Sequence, residues 1–306
     1  MDCAEMVLSS WPWRDSFNIY GGLACNPLMA DLWADRTPLH DAAYQGRLLM
    51  LQTLVTQGFP VDMVTIDRVS PLHEACLGGH YTCAKFLVEN GANVEMVSMD
   101  GATPLSNACS TGSIACVQLL LQHSPTPHHP IATPTHQPLA TPTHHALALS
   151  MHQAAKRGHR ECLELLLSHG VLIDLELPGV GTPLYTACWA QATSCVDRLL
   201  QSGADVQRGR GQDTPLHAAV QVGGVQIVEM LMDYGADGSC RNSEGKTPLE
   251  LAAEKSAVRL TMQKRGPSTL SQLCRFCIRR SLGRVRLNRT SVLHLPHRLQ
   301  AFLLYQ

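Results

Sequence analysis

A four-residue motif, Thr-Pro-Leu-His or a close variant of it, returns along the chain at an almost constant interval. It starts at seven positions: Thr37, Ser70, Thr103, Leu149, Thr182, Thr214 and Thr247. Successive starts are 33, 33, 46, 33, 32 and 33 residues apart. A unit of this length cannot bury its own apolar face, so neighbouring units must stack and bury one another. The sequence therefore predicts a solenoid of repeats.

Each copy of the motif predicts the start of a short helix, because Thr or Ser caps a helix and Pro is tolerated in its first turn. A glycine nine residues after the start predicts the end of that helix, where left-handed backbone is needed: Gly46, Gly79, Gly112, Gly158 and Gly223. A second apolar helix and a hairpin turn follow. This pattern resembles the ankyrin repeat, and it predicts an all-α ankyrin-repeat solenoid over residues 36–264, with six repeats and a partial seventh.

Histidine and cysteine recur with the repeat, which favours structural roles for both. The motif histidine, as in His73, is expected to bond the neighbouring turn rather than to act in catalysis or bind a metal. Seven of the twelve cysteines lie six or thirteen residues after a motif start: Cys76, Cys83, Cys109, Cys116, Cys162, Cys188 and Cys195. These places belong to inward helix faces, where a free cysteine behaves as a small hydrophobic residue.

Charge and hydropathy limit the compartment and the partners. The chain has no run of eighteen apolar residues and an N-terminal segment with several charges, so we expect neither membrane insertion nor a secretory signal. The cysteines of such a chain favour a reducing, intracellular and cytoplasmic location. From Lys255 to Gln306 there are eleven Lys or Arg and no Asp or Glu, so an acidic body precedes a basic tail.

Two segments interrupt or precede the repeats. Residues 124–148 are rich in Pro, Thr and His and explain the long step between Thr103 and Leu149. Proline at this density predicts an extended or disordered loop; a loose metal site built from its histidines is the alternative. Residues 1–35 lack the motif and carry a cluster of aromatic residues. We expect this N-terminal arm to cap repeat one or to bind a partner.

The tail, residues 265–306, carries a different pattern. Apolar residues recur at steps of three and four, which predicts a helix with one apolar face and arginines opposite: Leu270, Leu273, Cys274, Cys277 and Ile278. A second, shorter helix is predicted after a Leu-Pro pair: Leu295, Pro296, Leu299, Phe302 and Leu303. So small a segment cannot build much core alone, and it is expected to dock on another surface.

On these residues the chain resembles the ankyrin repeat and SOCS box proteins, and the stretch 71–80 resembles the subgroup with members nine and eleven. Their SOCS box opens with the spacing of Leu270, Cys274 and Ile278. The resemblance implies that this helix face, with Leu273 and Cys277, enters a groove on elongin C. It also implies elongin B as a partner, and that the closing Leu-Pro element selects a cullin, usually the fifth, with its RING subunit: Leu295, Pro296 and Leu299.

The resemblance implies a substrate-recognition subunit of an elongin–cullin–RING ubiquitin ligase, which is not itself an enzyme and needs no cofactor. The ankyrin repeats would hold a protein substrate. Places four and seven after each motif start are expected to face the concave surface, and they supply the candidate substrate-binding residues: Asp41, Tyr44, Glu74, Leu77, Asn107, Lys156 and Trp189. For Trp189 a structural role beside the irregular Gln191 is the alternative.

Three other functions stay open at the sequence level. Cys274, Cys277, His294 and His297 approximate a zinc-finger spacing, although Pro296 between the histidines disturbs it. The basic tail is compatible with nucleic acid, but no aromatic stacking platform accompanies its arginines. A plain ankyrin scaffold without a ligase role is the third. We expect no metal and no nucleic acid, and elongin binding separates a ligase subunit from a scaffold.

Deleting residues 126–138 should leave the thermal unfolding transition almost unchanged. An unpacked loop contributes little to stability, and the entropic cost of closing a loop grows only slowly with its length. Thermal unfolding of the deletion variant and the wild-type chain tests this. A large drop in the melting temperature would mean that the insertion packs on the repeats.

Overall fold

The computed structural model describes residues 36–124, 142–254, 256–264, 270–287 and 296–304. Over these residues the regular structure is helical, with two isolated β-bridges and no strand. The helices, numbered along the chain, are α1 Pro38–Tyr44, α2 Leu48–Thr56, α3 Pro71–Leu77, α4 Tyr81–Glu89, α5 Pro104–Thr111, α6 Ile114–His123, α7 Pro142–Arg157, α8 Arg160–Ser168, α9 Pro183–Trp189, α10 Thr193–Gln201, α11 Pro215–Gln221, α12 Val225–Asp233, α13 Pro248–Leu251, α14 Ala257–Lys264, α15 Leu270–Leu287 and α16 His297–Leu304. The predicted N-terminal arm, 1–35, lies outside the described residues.

Helices α1 to α14 form seven consecutive pairs, one pair for each repeat. Within each of the first six pairs the two helices contact each other. Each first helix also contacts the first helices of the neighbouring repeats, and each second helix contacts the neighbouring second helices. The repeats therefore stack as two layers of helices, and the predicted all-α ankyrin solenoid is confirmed. The first helix of repeat seven, α13, has only four residues.

The motif starts cap the first helices as expected. Five of them accept a hydrogen bond through the side-chain oxygen from the backbone N–H three residues later, with Pro at the first helical turn: Ser70, Thr103, Thr182, Thr214 and Thr247. Each cap of this kind contributes about 1 kcal/mol, because it satisfies a donor that the helix leaves unpaired. The five predicted terminal glycines have φ between 70° and 79°.

Repeat five has Gln191 in place of this glycine. Gln191 adopts φ 56°, a left-handed conformation that costs a residue with a side chain about 1–2 kcal/mol. Its amide nitrogen Nε2 donates a hydrogen bond of 2.8 Å to the carbonyl oxygen of Val222 in repeat six. The bond to the next repeat offsets part of the cost, so the left-handed turn is kept without a glycine.

Repeat four departs from the predicted frame. Its first helix, α7, begins at Pro142 and runs for 16 residues, so the expected extended loop does not reach Ala148. The prediction is wrong for residues 142–148 because a single proline stands there, at the helix start where proline is tolerated, and Ala, Leu and Ala follow. Ala148 is buried with Leu175 and Leu177 in a small second core cluster. Residues 125–141 lie outside the described part of the chain.

The core between the two layers is made of leucine, alanine and cysteine. All seven cysteines at the inward places of the repeat are buried: Cys76, Cys83, Cys109, Cys116, Cys162, Cys188 and Cys195. Burial raises the pKa of the Cys109 and Cys188 thiols, so both stay protonated near neutral pH. The prediction that these cysteines are core residues is confirmed.

A buried histidine in each of four repeats bonds the turn that leads into the next repeat. The Nε2 atoms of His40, His73, His152 and His217 lie 2.9–3.2 Å from carbonyl oxygens 29 residues further along the chain, at Val69, Ala102, Gly181 and Lys246. In His73 the Nδ1 atom accepts a hydrogen bond from the Ser70 N–H, so Nε2 carries the proton and donates to Ala102. The structural role predicted for these histidines is confirmed.

We expect His73 to make stability depend on pH. Burial lowers its pKa, so the folded state favours the neutral ring. The corresponding stability is present above the pKa of the unfolded chain, about 6.5, and is lost as the pH falls toward the lower folded-state pKa. His73→Gln should be less stable than the wild type at neutral pH and lose less stability on acidification. Urea midpoints at neutral and mildly acidic pH measure both effects.

His297→Gln is the matched control, since His297 is exposed. It should keep the full pH dependence of the wild type. Parallel curves for His73→Gln and the wild type would contradict the assignment.

Candidate functional site

Helix α15 presents one apolar face to solvent. Leu270 is 77% exposed, Leu273 48% and Ile278 42%, and the free thiols of Cys274 and Cys277 are exposed beside them. All five residues predicted to share this face therefore do so. The tail does not cover any of them, and all five are exposed to solvent. Exposed leucine and isoleucine at helical spacing form a surface that gains stability when a partner covers it.

The opposite face of α15 is fixed to the ankyrin array by Arg279. Its guanidinium is buried and donates to two carbonyl oxygens, that of Leu200 at 2.9 Å and that of Leu303. It also lies 5.4 Å from the centre of the Tyr234 ring, within the range of a cation–π interaction. Leu200 lies in the last turn of α10, where the helix macrodipole is negative and favours a cation. A charged residue thus docks the tail.

Two aromatic contacts complete this docking. The ring of Phe276 lies against Gly235, so close that a β-carbon on that glycine would be 2.9 Å from the ring. Gly235 also has φ 91°, which glycine adopts without steric cost. On the other side, the guanidinium of Arg275 lies 4.0 Å from the centre of the Phe302 ring in α16. The two tail helices therefore hold each other as well as the array, as the small size of the segment predicts.

The spacing predicts arginines opposite the apolar face of α15, and Arg279 lies there, but the spacing gives no sign that its side chain is buried against the array. Its acceptors are backbone carbonyls, which carry no signal in the sequence. One of them, Leu200, lies 79 residues away along the chain. A periodic arginine opposite an apolar face was the one sign available, and it is equally typical of a solvated face.

The region predicted to select a cullin is described in part. Leu295 lies outside the described residues, whereas Pro296 is exposed and precedes α16. Leu299 is 49% exposed, while Leu303 on the same helix is buried. The second amphipathic helix predicted after Pro296 is confirmed, and one of its apolar residues faces solvent.

The candidate substrate residues differ in their exposure. Asp41 is exposed, Tyr44 is 45% exposed and Leu77 43%. Asn107 and Lys156 are half-buried: the Asn107 amide donates to the carbonyl oxygen of His73 at 3.3 Å, and burial lowers the pKa of Lys156. The three exposed residues all belong to repeats one and two.

Two of the candidates are less available than the repeat frame predicts. Glu74 is only 7% exposed, so the expectation that its place faces solvent is wrong. The first helices of repeats one and three flank α3, and a side chain between them is covered. Trp189 is half-buried, packs against the main core and stacks on Tyr185 with ring centres 6.3 Å apart. These contacts favour the structural role for Trp189.

Three of the four residues of the zinc alternative lie in the described part of the chain. No group of three or more His, Cys, Asp or Glu that could hold a metal ion occurs there. Cys274 and Cys277 of the zinc alternative lie on the exposed apolar face, and His294 lies outside the described ranges. None of the helices described is both long and apolar enough to cross a bilayer.

Comparisons with known proteins identify both parts of the chain. The family model described as ankyrin repeats (3 copies) matches residues 20–98, 39–131 and 140–210, and the model described as ankyrin repeats (many copies) matches residues 201–252. The SOCS box model matches residues 266–304. Ankyrin repeat and SOCS box protein 11 of Danio rerio is 61% identical over 293 residues, which are 96% of this chain and 95% of that protein. This chain belongs to the ankyrin repeat and SOCS box family.

Other relatives agree with this membership. Ankyrin repeat and SOCS box protein 9 of Mus musculus is 50% identical over 283 residues, 92% of each chain. The crystal structure of the human ASB11 ankyrin repeat domain superposes with a TM-score of 0.65 at 50% identity, covering 76% of this chain and all of that one. The predicted resemblance to the subgroup of members nine and eleven is confirmed. Helices α15 and α16 are accordingly those of the SOCS box.

Arg279→Met should loosen the SOCS box of this family member from its ankyrin array. Hydrogen bonds to a charged group contribute about 1.5–3 kcal/mol each, and methionine leaves both carbonyl oxygens without that donor. We expect faster amide hydrogen exchange throughout α15, with exchange in α3 to α6 unchanged. Mass-spectrometric hydrogen exchange on the full chain measures this.

Arg298→Met supplies the control, because Arg298 is an exposed arginine of the same SOCS box. It should exchange like the wild type. Equal exchange in α15 for both variants would show that Arg279 does not hold the helix.

Proposed function

We propose that this chain is a substrate-recognition subunit of an elongin–cullin–RING ubiquitin ligase. The observation that carries the proposal is the two-sided SOCS helix: Arg279 and Phe276 dock one face of α15 on the array, while Leu270, Leu273 and Ile278 on the other face solvent. A helix held by one face and apolar on the other fits an adaptor between two proteins. Membership in the family supports the same role.

Elongin C is the proposed partner of the exposed face, and elongin B joins it through elongin C. Fully burying a leucine or isoleucine side chain stabilises a complex by about 1.5–3 kcal/mol, so the three exposed apolar residues can supply much of the affinity. Cys274 and Cys277 lie between them as small apolar groups that let a partner groove approach closely. The fixed docking of α15 supports this because a preorganised helix loses little entropy on binding.

The cullin, most simply the fifth with its RING subunit, is proposed to contact the region around α16. Pro296 and Leu299 are exposed there and carry this proposal together with Leu295. The buried Leu303 and the Arg275–Phe302 contact tie α16 to α15, so a partner on one helix is held near a partner on the other.

The ankyrin array is proposed to hold the protein substrate. Asp41, Tyr44 and Leu77 lie exposed on the first helices of repeats one and two, with Asn107 and Lys156 half-exposed beyond them. Aromatic residues are enriched among the residues that dominate binding energy at interfaces, which makes Tyr44 the principal candidate. In this arrangement ubiquitin transfer belongs to the partner enzymes, and the chain acts as an adaptor.

Replacing Leu270 and Cys274 together by alanine should abolish elongin binding and leave the ankyrin array folded. Loss of a buried leucine typically costs about 2–5 kcal/mol, here at the interface rather than in the fold, because Leu270 is 77% exposed in the free chain. Co-purification with elongins B and C measures binding, and the thermal transition reports on folding.

Leu260→Ala is the matched control, since Leu260 is also an exposed leucine, 58%, but lies in repeat seven. It should retain elongin binding. If the double variant still co-purifies with the elongins, the assignment of this face is wrong. If the wild-type chain itself fails to bind them, the plain ankyrin scaffold is the better description.

A further inference from the structure

Strongly exposed large apolar side chains are unevenly distributed along the described chain. Eight of fifteen lie in repeats one and two and four lie in the SOCS box; repeats three to seven share the other three. The SOCS box group includes the proposed elongin face. The group in repeats one and two therefore requires an explanation of its own, and part of it lies on the hairpin turns rather than on the helices.

The turns that follow repeats one and two each end in an exposed apolar tip. Ile66 is 77% exposed and Met99 66%, and both stand 29 residues after their motif start. The Met99 N–H donates a 2.8 Å hydrogen bond to the carbonyl oxygen of Asp67, so the two tips adjoin. Val64, 48% exposed, extends the patch on the first turn. We call Val64, Ile66 and Met99 the turn-tip patch.

Among the turns that the structure describes, isoleucine or methionine occupies this place only in repeats one and two; repeat four has Pro178 there. The same place after the starts of repeats five and six is held by Gly211 and Ser243, which offer no apolar side chain. An isoleucine tip has no packing role within its own repeat at this exposure, and a partner that covers it is stabilised by the apolar area that is buried. Apolar surface that the fold leaves uncovered at adjoining turns is typical of an interaction site.

Carboxylates edge the turn-tip patch. Asp67 directly follows Ile66 and Asp100 directly follows Met99, and both are exposed. Residues 59–69 and 92–102 together hold four carboxylates and one guanidinium, that of Arg68. The corresponding turns of repeats five and six, 204–213 and 236–246, hold two carboxylates and two cations each, and so balance, whereas the turn of repeat four, 171–181, holds two carboxylates and no cation. The first two turns thus combine apolar tips with a net negative charge.

We propose that the turn-tip patch, with Tyr44 and Leu77 on the first helices of the same repeats, docks a protein segment that presents apolar side chains flanked by lysine or arginine. This deepens the proposed function, on which it rests, by assigning a chemical class to the substrate. Opposite charges favour such a segment and raise its rate of association. An anionic membrane surface or a nucleic acid meets the same carboxylates unfavourably.

Two synthetic peptides test the proposal with the full chain. One is an amphipathic peptide of leucine and lysine; the other has the same leucines with glutamate in place of lysine. By fluorescence anisotropy the lysine peptide should bind at least about tenfold more tightly, with an affinity that falls as salt is added. Equal binding of both peptides would overturn the proposal.

Variants then locate the binding. Ile66→Ser with Met99→Ser should weaken binding of the lysine peptide about tenfold or more, whereas Leu260→Ser removes an exposed apolar residue elsewhere and should not. Asp67→Asn should weaken binding of the lysine peptide several-fold, which is about the contribution of one exposed charge pair. Glu161→Gln, at an exposed helix position, is its control. Unchanged binding of the lysine peptide to the Ile66/Met99 variant would overturn the assignment. The assignment would also be overturned if this variant lost binding to anionic lipid vesicles but not to the peptide.

The same variants separate this proposal from the function on which it rests. Ile66→Ser with Met99→Ser should capture elongins B and C like the wild type, and the Leu270/Cys274 variant should bind the lysine peptide like the wild type. Elongin capture without peptide preference would refute only the turn-tip assignment. Peptide preference without elongin capture would refute only the ligase role.

Discussion

Every repeat in this protein has an apolar face that only the next repeat can cover, and the fold depends on that coverage. The buried cysteines and leucines of adjacent repeats form one continuous core, and a histidine from each of four repeats donates to a carbonyl in the turn that follows. Burial and hydrogen bonding therefore act across the same boundary. A substitution within one repeat therefore also changes the stability of its neighbours, because part of the stability comes from the interfaces between repeats.

The SOCS box follows the same rule by other means. Its two helices are too small to bury much apolar surface between themselves, so they pack against the ankyrin array. Arg279 reaches the carbonyl end of α10, and Phe276 fills the space above Gly235. Burying a charge is costly unless its hydrogen bonds are satisfied, and two carbonyl oxygens supply them here. Docking through Arg279 and Phe276 leaves the opposite, apolar face of α15 for a partner.

Exposed apolar surface consequently collects in two places, at the SOCS box and at repeats one and two. The repeats between them expose few large apolar residues and carry ion pairs on their second helices, such as Arg160 with Glu164 and Arg198 with Glu164. Pairs this exposed contribute little to stability but keep that surface polar. A chain with two separated apolar surfaces on one continuous core is suited to hold two proteins at a fixed distance.

The sequence by itself determined the repeat, its caps, its inward cysteines and the apolar face of α15, because each follows from a spacing of a few residues along the chain. Only the tertiary structure decided the burial of Glu74, the packing of Trp189 and the docking of Arg279. Those outcomes depend on what lies beside a residue in space, and for Arg279 one decisive atom belongs to a residue 79 positions away. The extension of α7 back to Pro142 depended on both sequence and tertiary structure. Its residues are compatible with a helix, and packing of Ala148 against Leu175 and Leu177 stabilises that helix.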